Sequence, residues 1–162
     1  MNSIFLDLEE TIIQSWYDPT LVNVGRIKHT LHKVFDIREV GIFSFAVGNE
    51  RDRETTIKYL VPVIERALEV TVDLNRIVTC EEMVQNSKEL HGCHYESWAD
   101  YINVVGKGGA FIDHCRLHQV GLNSILIDDC VRNSTTIDHD TDTTIRLLPV
   151  QLLTVDRGTP LR

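Results

Sequence analysis

Short apolar runs that end on polar or acidic residues, separated by segments of helical period, constrain this chain more than any other feature. Ile4-Phe5-Leu6 and Val40 to Val47 read as buried strands, Arg76-Ile-Val-Thr-Cys80 as a third and Ser124-Ile-Leu-Ile127 as a fourth, with Thr144 to Leu148 as a fifth. Between the first two, Ile27, Leu31, Val34 and Phe35 repeat at helical spacing, bounded by Asn23 and Gly41. The spacing of Ile57, Leu60, Val61, Ile64 and Leu68 predicts a helix over 51–70, with Asn49 as cap and Asp52 three residues on. A further helix is expected over 108–120, carrying Phe111, Cys115 and Leu117 toward a core and ended by Gly121. Glu81 to Tyr95 shows no clean period and reads as loop with helical turns. Strands alternating with helices in this way build βαβ units, so the expectation is an α/β fold with a mostly parallel sheet and helices on both faces.

The 162 residues are 43% hydrophobic, enough for one continuous core, and no repeat or linker divides them, so residues 1–162 are expected to form a single domain. A formal net charge of -8 argues against a broad nucleic-acid-binding face, which needs Lys and Arg to neutralise phosphates. A small phosphorylated substrate, a nucleic-acid end or a protein partner fits that charge better. No leader-like segment opens the sequence and no apolar run approaches the roughly 20 residues that span a bilayer, so a cytoplasmic protein with no membrane association is expected. Cys80, Cys93, Cys115 and Cys130 are scattered among mostly apolar neighbours, the pattern of reduced, buried thiols.

Ligands of open parallel sheets gather at the carboxyl ends of the strands. Those positions are polar here: Asp7-Leu-Glu9-Glu-Thr11 after the first strand, Ser44 and then Asn49 after the second, Lys107 before the fourth and Asp128-Asp129 after it. Carboxylates closing separate parallel strands repel one another unless a cation sits between them. Mg²⁺, which takes hard oxygen ligands and a substrate phosphate, is the natural occupant.

The order of these motifs resembles the haloacid dehalogenase-like superfamily from Ile4 to about Leu148. The family's Asp-x-Asp-x-Thr stands as Asp7-Leu8-Glu9-Glu10-Thr11, its Ser or Thr at the next strand end as Ser44, its Lys as Lys107 in Val104-Val-Gly-Lys-Gly-Gly-Ala110, and its acidic pair as Asp128-Asp129. The resemblance implies a Rossmann-like three-layer sandwich. It further implies Asp7 as the nucleophile that forms an aspartyl-phosphate, with Ser44 and Lys107 holding the phosphoryl oxygens. Mg²⁺ would be bound by Asp7, Asp128 and Asp129 together with the backbone carbonyl of Glu9. In this likeness Glu9 replaces the family's second Asp, the general acid and base. The extra methylene displaces its carboxyl by on the order of 1 Å, and such a misplacement can cost about 10²-fold in rate.

The reading that follows is a Mg²⁺-dependent phosphohydrolase acting on a phosphomonoester, such as a nucleotide or a nucleic-acid 3'-phosphate. Its rival is a binding or regulatory protein that keeps the pocket but has lost turnover. Thr11, Asn49, Arg51 and Arg132 are the candidate substrate contacts, although each arginine reads equally well as an ordinary surface charge. About 15 residues separate Thr11 from the first helix, enough for a flap bearing Trp16 and Tyr17 but too few for a cap domain. The site is thus expected to be open, with room for a partner protein or neighbouring subunit to act as its lid.

Other patterns are weaker. Around Gly106-Lys107, Tyr101 and Gly108 occupy the places where a phosphate loop needs Gly and Ser or Thr. Asp138-His-Asp140-Thr-Asp142 begins like a calcium loop, but Thr143 replaces the turn Gly and Pro149 the bidentate Glu. Cys80, His91, Cys93 and His94, with Cys115 and His114 or His118 nearby in sequence, match no usual zinc spacing.

Overall fold

The structure is a computed structural model that describes residues 2–129, 135–138 and 144–153. Six strands form one sheet: β1 (Asn2–Leu6), β2 (Glu39–Phe43), β3 (Thr71–Val78), β4 (Asn123–Asp128), β5 (Thr135–Asp138) and β6 (Thr144–Pro149), in the spatial order β3-β2-β1-β4-β6-β5. Five strands run parallel, as the alternation of strands and helices led one to expect, and β5 closes the edge antiparallel to β6. Helices cover both faces, which makes the fold a Rossmann-like α/β arrangement. The chain moves outward from β1 to β2 to β3 and then returns to place β4 on the other side of β1. The reversal of strand order therefore falls between β1 and β4.

Side chains alternate across the sheet with period two. Ile4 and Leu6 of β1, Val40 and Ile42 of β2, and Ile125 and Ile127 of β4 enter one core beneath α1 (Val24–His29) and α3 (Val61–Leu68), whereas α2 (Glu50–Thr55) has no buried side chain. Phe5, Phe43, Leu126, Ile145 and Leu147 enter the other, with residues of α4 (Cys80–His91), α5 (Trp98–Val104) and α6 (Gly106–His118). β1, β2 and β4 are buried on both faces, which is why their runs are almost continuously apolar.

Several boundaries differ from the sequence reading, each for a physical reason. The helix expected over 51–70 is α2 and α3 joined by a π segment, Thr56–Leu60, and it stops at Leu68 with Glu69 at φ 53. Pro62 has no N–H to donate to the preceding turn, and the backbone widens just ahead of it so that Val61 N–H bonds Thr56 O. Asn23 is left-handed and caps α1 with no side-chain bond; its Nδ2 instead donates to Thr11 O at 3.0 Å. Residues 81–95 are not loop. α4 occupies most of them, started by a capping box in which Thr79 Oγ1 accepts from Glu82 N–H and Glu82 accepts from Thr79 N–H.

The third strand begins at Thr71, five residues before the expected start, and Cys80 belongs to α4. Its register against β2 breaks between Val40 and Ile42, where residues 73–76 bulge outward. There the Arg76 carbonyl passes so close to Gly41 that a Cβ on residue 41 would lie 2.7 Å from it and from the Phe5 ring. α6 opens at Gly106, two residues earlier than predicted; Phe111 and Cys115 are buried and Leu117 only half-buried. Cys80 and Cys115 are buried free thiols as expected, whereas Cys93 is exposed; Cys130 lies outside the described residues. Among the described residues no helix is long and apolar enough to cross a membrane.

Candidate metal centre

Strand alternation decides which side of the sheet each acidic residue faces. Asp7 follows β1 on the side of Phe5, and its N–H extends the ladder to Ile127 O at 2.9 Å. Asp128 ends β4 on the side of Leu126. Both point to the face covered by α6, whose first turn carries Lys107. The Lys107 ammonium lies 3.1 Å from Asp7 Oδ2 and 3.0 Å from Asp128 Oδ1. Asp129 completes the group: one carboxylate oxygen from each of Asp7, Asp128 and Asp129 falls within 4.8 Å of the others. The cluster stands at the carboxyl ends of β1 and β4, where the strand order reverses and open α/β sheets place their ligands.

The site is largely buried and rich in carboxylates. Asp7 and Asp128 are buried, with 1% and 0% exposure, and Lys107 is largely buried against the Phe45 ring, its ammonium 5.3 Å from the ring centre. Three carboxylates gather around the Lys107 ammonium. Burial, only partly offset by Lys107 and reinforced by Asp128, holds the Asp7 carboxyl well above its ordinary range. Asp129 is pushed up to about 6 by burial, by Asp128 and by Glu10. Lys107 is held above its usual value because its two carboxylate partners outweigh its desolvation. This hard, all-oxygen donor set of Asp7, Asp128 and Asp129 could hold a metal ion.

The remaining sequence candidates are placed as follows. Thr11 is buried and donates to Asp7 Oδ2 at 3.1 Å, so it orients that carboxylate. Ser44 is buried just past β2, and its Oγ accepts from Ala46 N–H at 3.2 Å. The Glu9 carboxylate accepts from Trp16 N–H at 2.8 Å, which ties it to the turn after β1. Asn49 caps α2 by accepting from Asp52 N–H at 3.0 Å, and Arg51 is exposed on that helix. Arg132 lies outside the described residues, as do residues 139–143 of the calcium-like stretch. Trp16 packs against the core beneath α1, leaving Tyr17, 94% exposed, as the open aromatic ring of the turn.

The zinc pattern does not assemble. Cys80 Sγ donates to Phe45 O, burial pushes its thiol up to about 12, and His91 pairs with Asp113 at 3.0 Å. Among the described residues, the Asp7, Asp128 and Asp129 group is the one place where three such ligand atoms come together. Sequence reasoning missed Glu10 beside Asp129, Phe45 under Lys107, and Gln151, whose Nε2 donates to Asp129 O at 2.6 Å. Glu10 and Phe45 adjoin motif residues and could have been found from that proximity; Gln151 had no local signal. No family model, no curated protein and no solved structure matches this chain.

Proposed function

We propose that this chain is a Mg²⁺-dependent phosphohydrolase of the haloacid dehalogenase-like type, acting on a phosphomonoester. The observation that carries the reading is the cluster of Asp7, Asp128 and Asp129 around Lys107 at the switch point of the sheet. Bound there, the cation would neutralise phosphate charge and fix the phosphorus near a carboxylate. Thr11 and Lys107 engage Asp7 Oδ2 and hold the carboxylate in place for in-line attack. An Asp7 oxygen attacks phosphorus, the bond to the leaving oxygen breaks, and Glu9 gives that oxygen a proton. Water then attacks the aspartyl-phosphate, Glu9 takes the proton back, and phosphate leaves with Asp7 restored. Lys107 and Ser44 stabilise the equatorial oxygens as charge builds on them.

One contact favours the rival reading of a binding or regulatory protein. Glu9 must release Trp16 N–H to serve the leaving group. The test is Mg²⁺-dependent phosphate release from nucleotides, sugar phosphates and 3'-phosphorylated oligonucleotides by wild type, Asp7→Asn and Glu9→Asp. Hydrolysis requires release that vanishes in Asp7→Asn. Silence from wild type with strong release by Glu9→Asp would assign the chain to the binding class.

A further inference from the structure

A cavity of about 450 Å³ opens beside the carboxylate cluster. Its wall includes Asn49 of the turn after β2, Glu81 and Val84 of α4, and Tyr95 and Trp98 around the start of α5. Asn49 and Glu81 follow the carboxyl ends of β2 and β3, whereas Asp7 and Asp128 stand at those of β1 and β4. With β3, β2, β1 and β4 adjacent in that order, the cavity and the cluster lie side by side along one edge of the sheet. They also share a face, since α4, α5 and α6 cover the side to which both carboxylates point. One side chain spans the interval between them. The Phe45 ring centre stands 5.3 Å from the Lys107 ammonium and 5.2 Å from the Trp98 ring centre.

The wall is accessible and preset. Val84, Tyr95 and Trp98 are only half-buried, and Asn49 and Glu81 are exposed. Trp98 stacks on Tyr101 with ring centres 5.0 Å apart and 21° between planes, and Tyr95 meets Tyr101 edge-on at 5.1 Å. Tyr101 is fully buried and its hydroxyl donates to Met83 O at 3.2 Å, while the Tyr95 hydroxyl pairs with Ser87 Oγ at 3.1 Å. The rings are thereby fixed, so a flat guest meets them with little further loss of side-chain freedom. Polar groups at the rim are few. Asn49 accepts from Asp52 N–H through Oδ1, which leaves Nδ2 to donate, and Glu81 places a negative charge that opposes a second anionic group. An aromatic body with no negative charge of its own fits this lining.

We propose that this cavity receives an uncharged aromatic leaving group from the phosphomonoester whose phosphate sits at the neighbouring carboxylates and Lys107, an inference that rests on the phosphomonoester reading above. The phosphate anchors one end of the substrate, and the Trp98 pocket selects the other. The test uses phosphonates, whose P–C bond stands where the cleavable ester oxygen would be, so binding is read without turnover. Benzylphosphonate and methylphosphonate are each titrated calorimetrically into the full chain with Mg²⁺. Benzylphosphonate should bind at least about tenfold more tightly. That ratio should fall to about one in Trp98→Leu, which removes the indole wall, and in Val84→Phe, which fills the cavity, while methylphosphonate binding is kept in both. Equal affinities in wild type overturn this inference alone and leave the phosphomonoester reading intact. Binding of neither at millimolar concentration overturns both. A preference that survives the two substitutions also overturns the inference and moves the ring to Tyr17. Should Trp98→Leu not fold, Val84→Phe carries the same comparison.

Discussion

Acidification from pH 8 to pH 5 is expected to cost this fold on the order of 2 kcal/mol through one side chain, His114. Its ring is enclosed by Phe5 and Phe43, with the His118 ring 5.0 Å away and Arg76 near enough to add to the positive potential. Burial first, then His118 and Arg76, lower its pKa from 6.5 in the unfolded chain to about 3. Above the unfolded value the ring is neutral in both states and costs nothing. Below it the unfolded chain takes up a proton that the native ring refuses, so stability is lost progressively as pH falls from 6.5 toward 3. Each unit is worth about 1.4 kcal/mol, and pH 5 lies roughly 1.5 units below the unfolded value, which yields about 2 kcal/mol. Urea unfolding at both pH values, for wild type and His114→Phe, measures this directly. With a slope of about 1–3 kcal/mol per molar urea, the wild-type midpoint should fall by on the order of 1 M more than that of the variant. Equal losses in the two proteins would refute the reasoning and assign the acid sensitivity to other groups.

Lys107→Met leaves Asp7 and Asp128 buried without their shared cation, and it should cost about 3–5 kcal/mol in urea unfolding with EDTA present. Saturating Mg²⁺ should recover part of that loss; an unchanged midpoint in EDTA would contradict the role given to the ammonium. Thr79→Ala removes half of the capping box of α4 and should cost about 1 kcal/mol by the same assay. Gly41→Ala places a methyl group against the Arg76 carbonyl and the Phe5 ring, and it should lower stability by about 1–3 kcal/mol, read as a drop in melting temperature.

Periods of 2 and 3.6 made most of the sheet and three of the helical segments legible without coordinates. Where the reading fell short, a local rule was outweighed or passed over. α4 carries few apolar residues, so its period is faint, yet Thr79-Cys-Glu-Glu82 with Gly92 at the far end spelled both of its caps. The first half of β3 was hidden because its bulge interrupts the alternation that marks a strand. The burial of His114 had no sequence signal, since its packing is set by Phe5 and Phe43, which reach it from β1 and β2.

By itself the sequence determined that Asp7, Ser44 and Asp128 stand at the ends of apolar runs, because strand length and polarity are local properties of the chain. Whether those ends meet was not local. Asp7 and Asp128 come together because the return of the chain after α6 inserts β4 beside β1, and the pleat turns both carboxylates toward α6. Only that tertiary arrangement brought Lys107 between them, concentrating charge that in the extended chain is spread over more than a hundred residues.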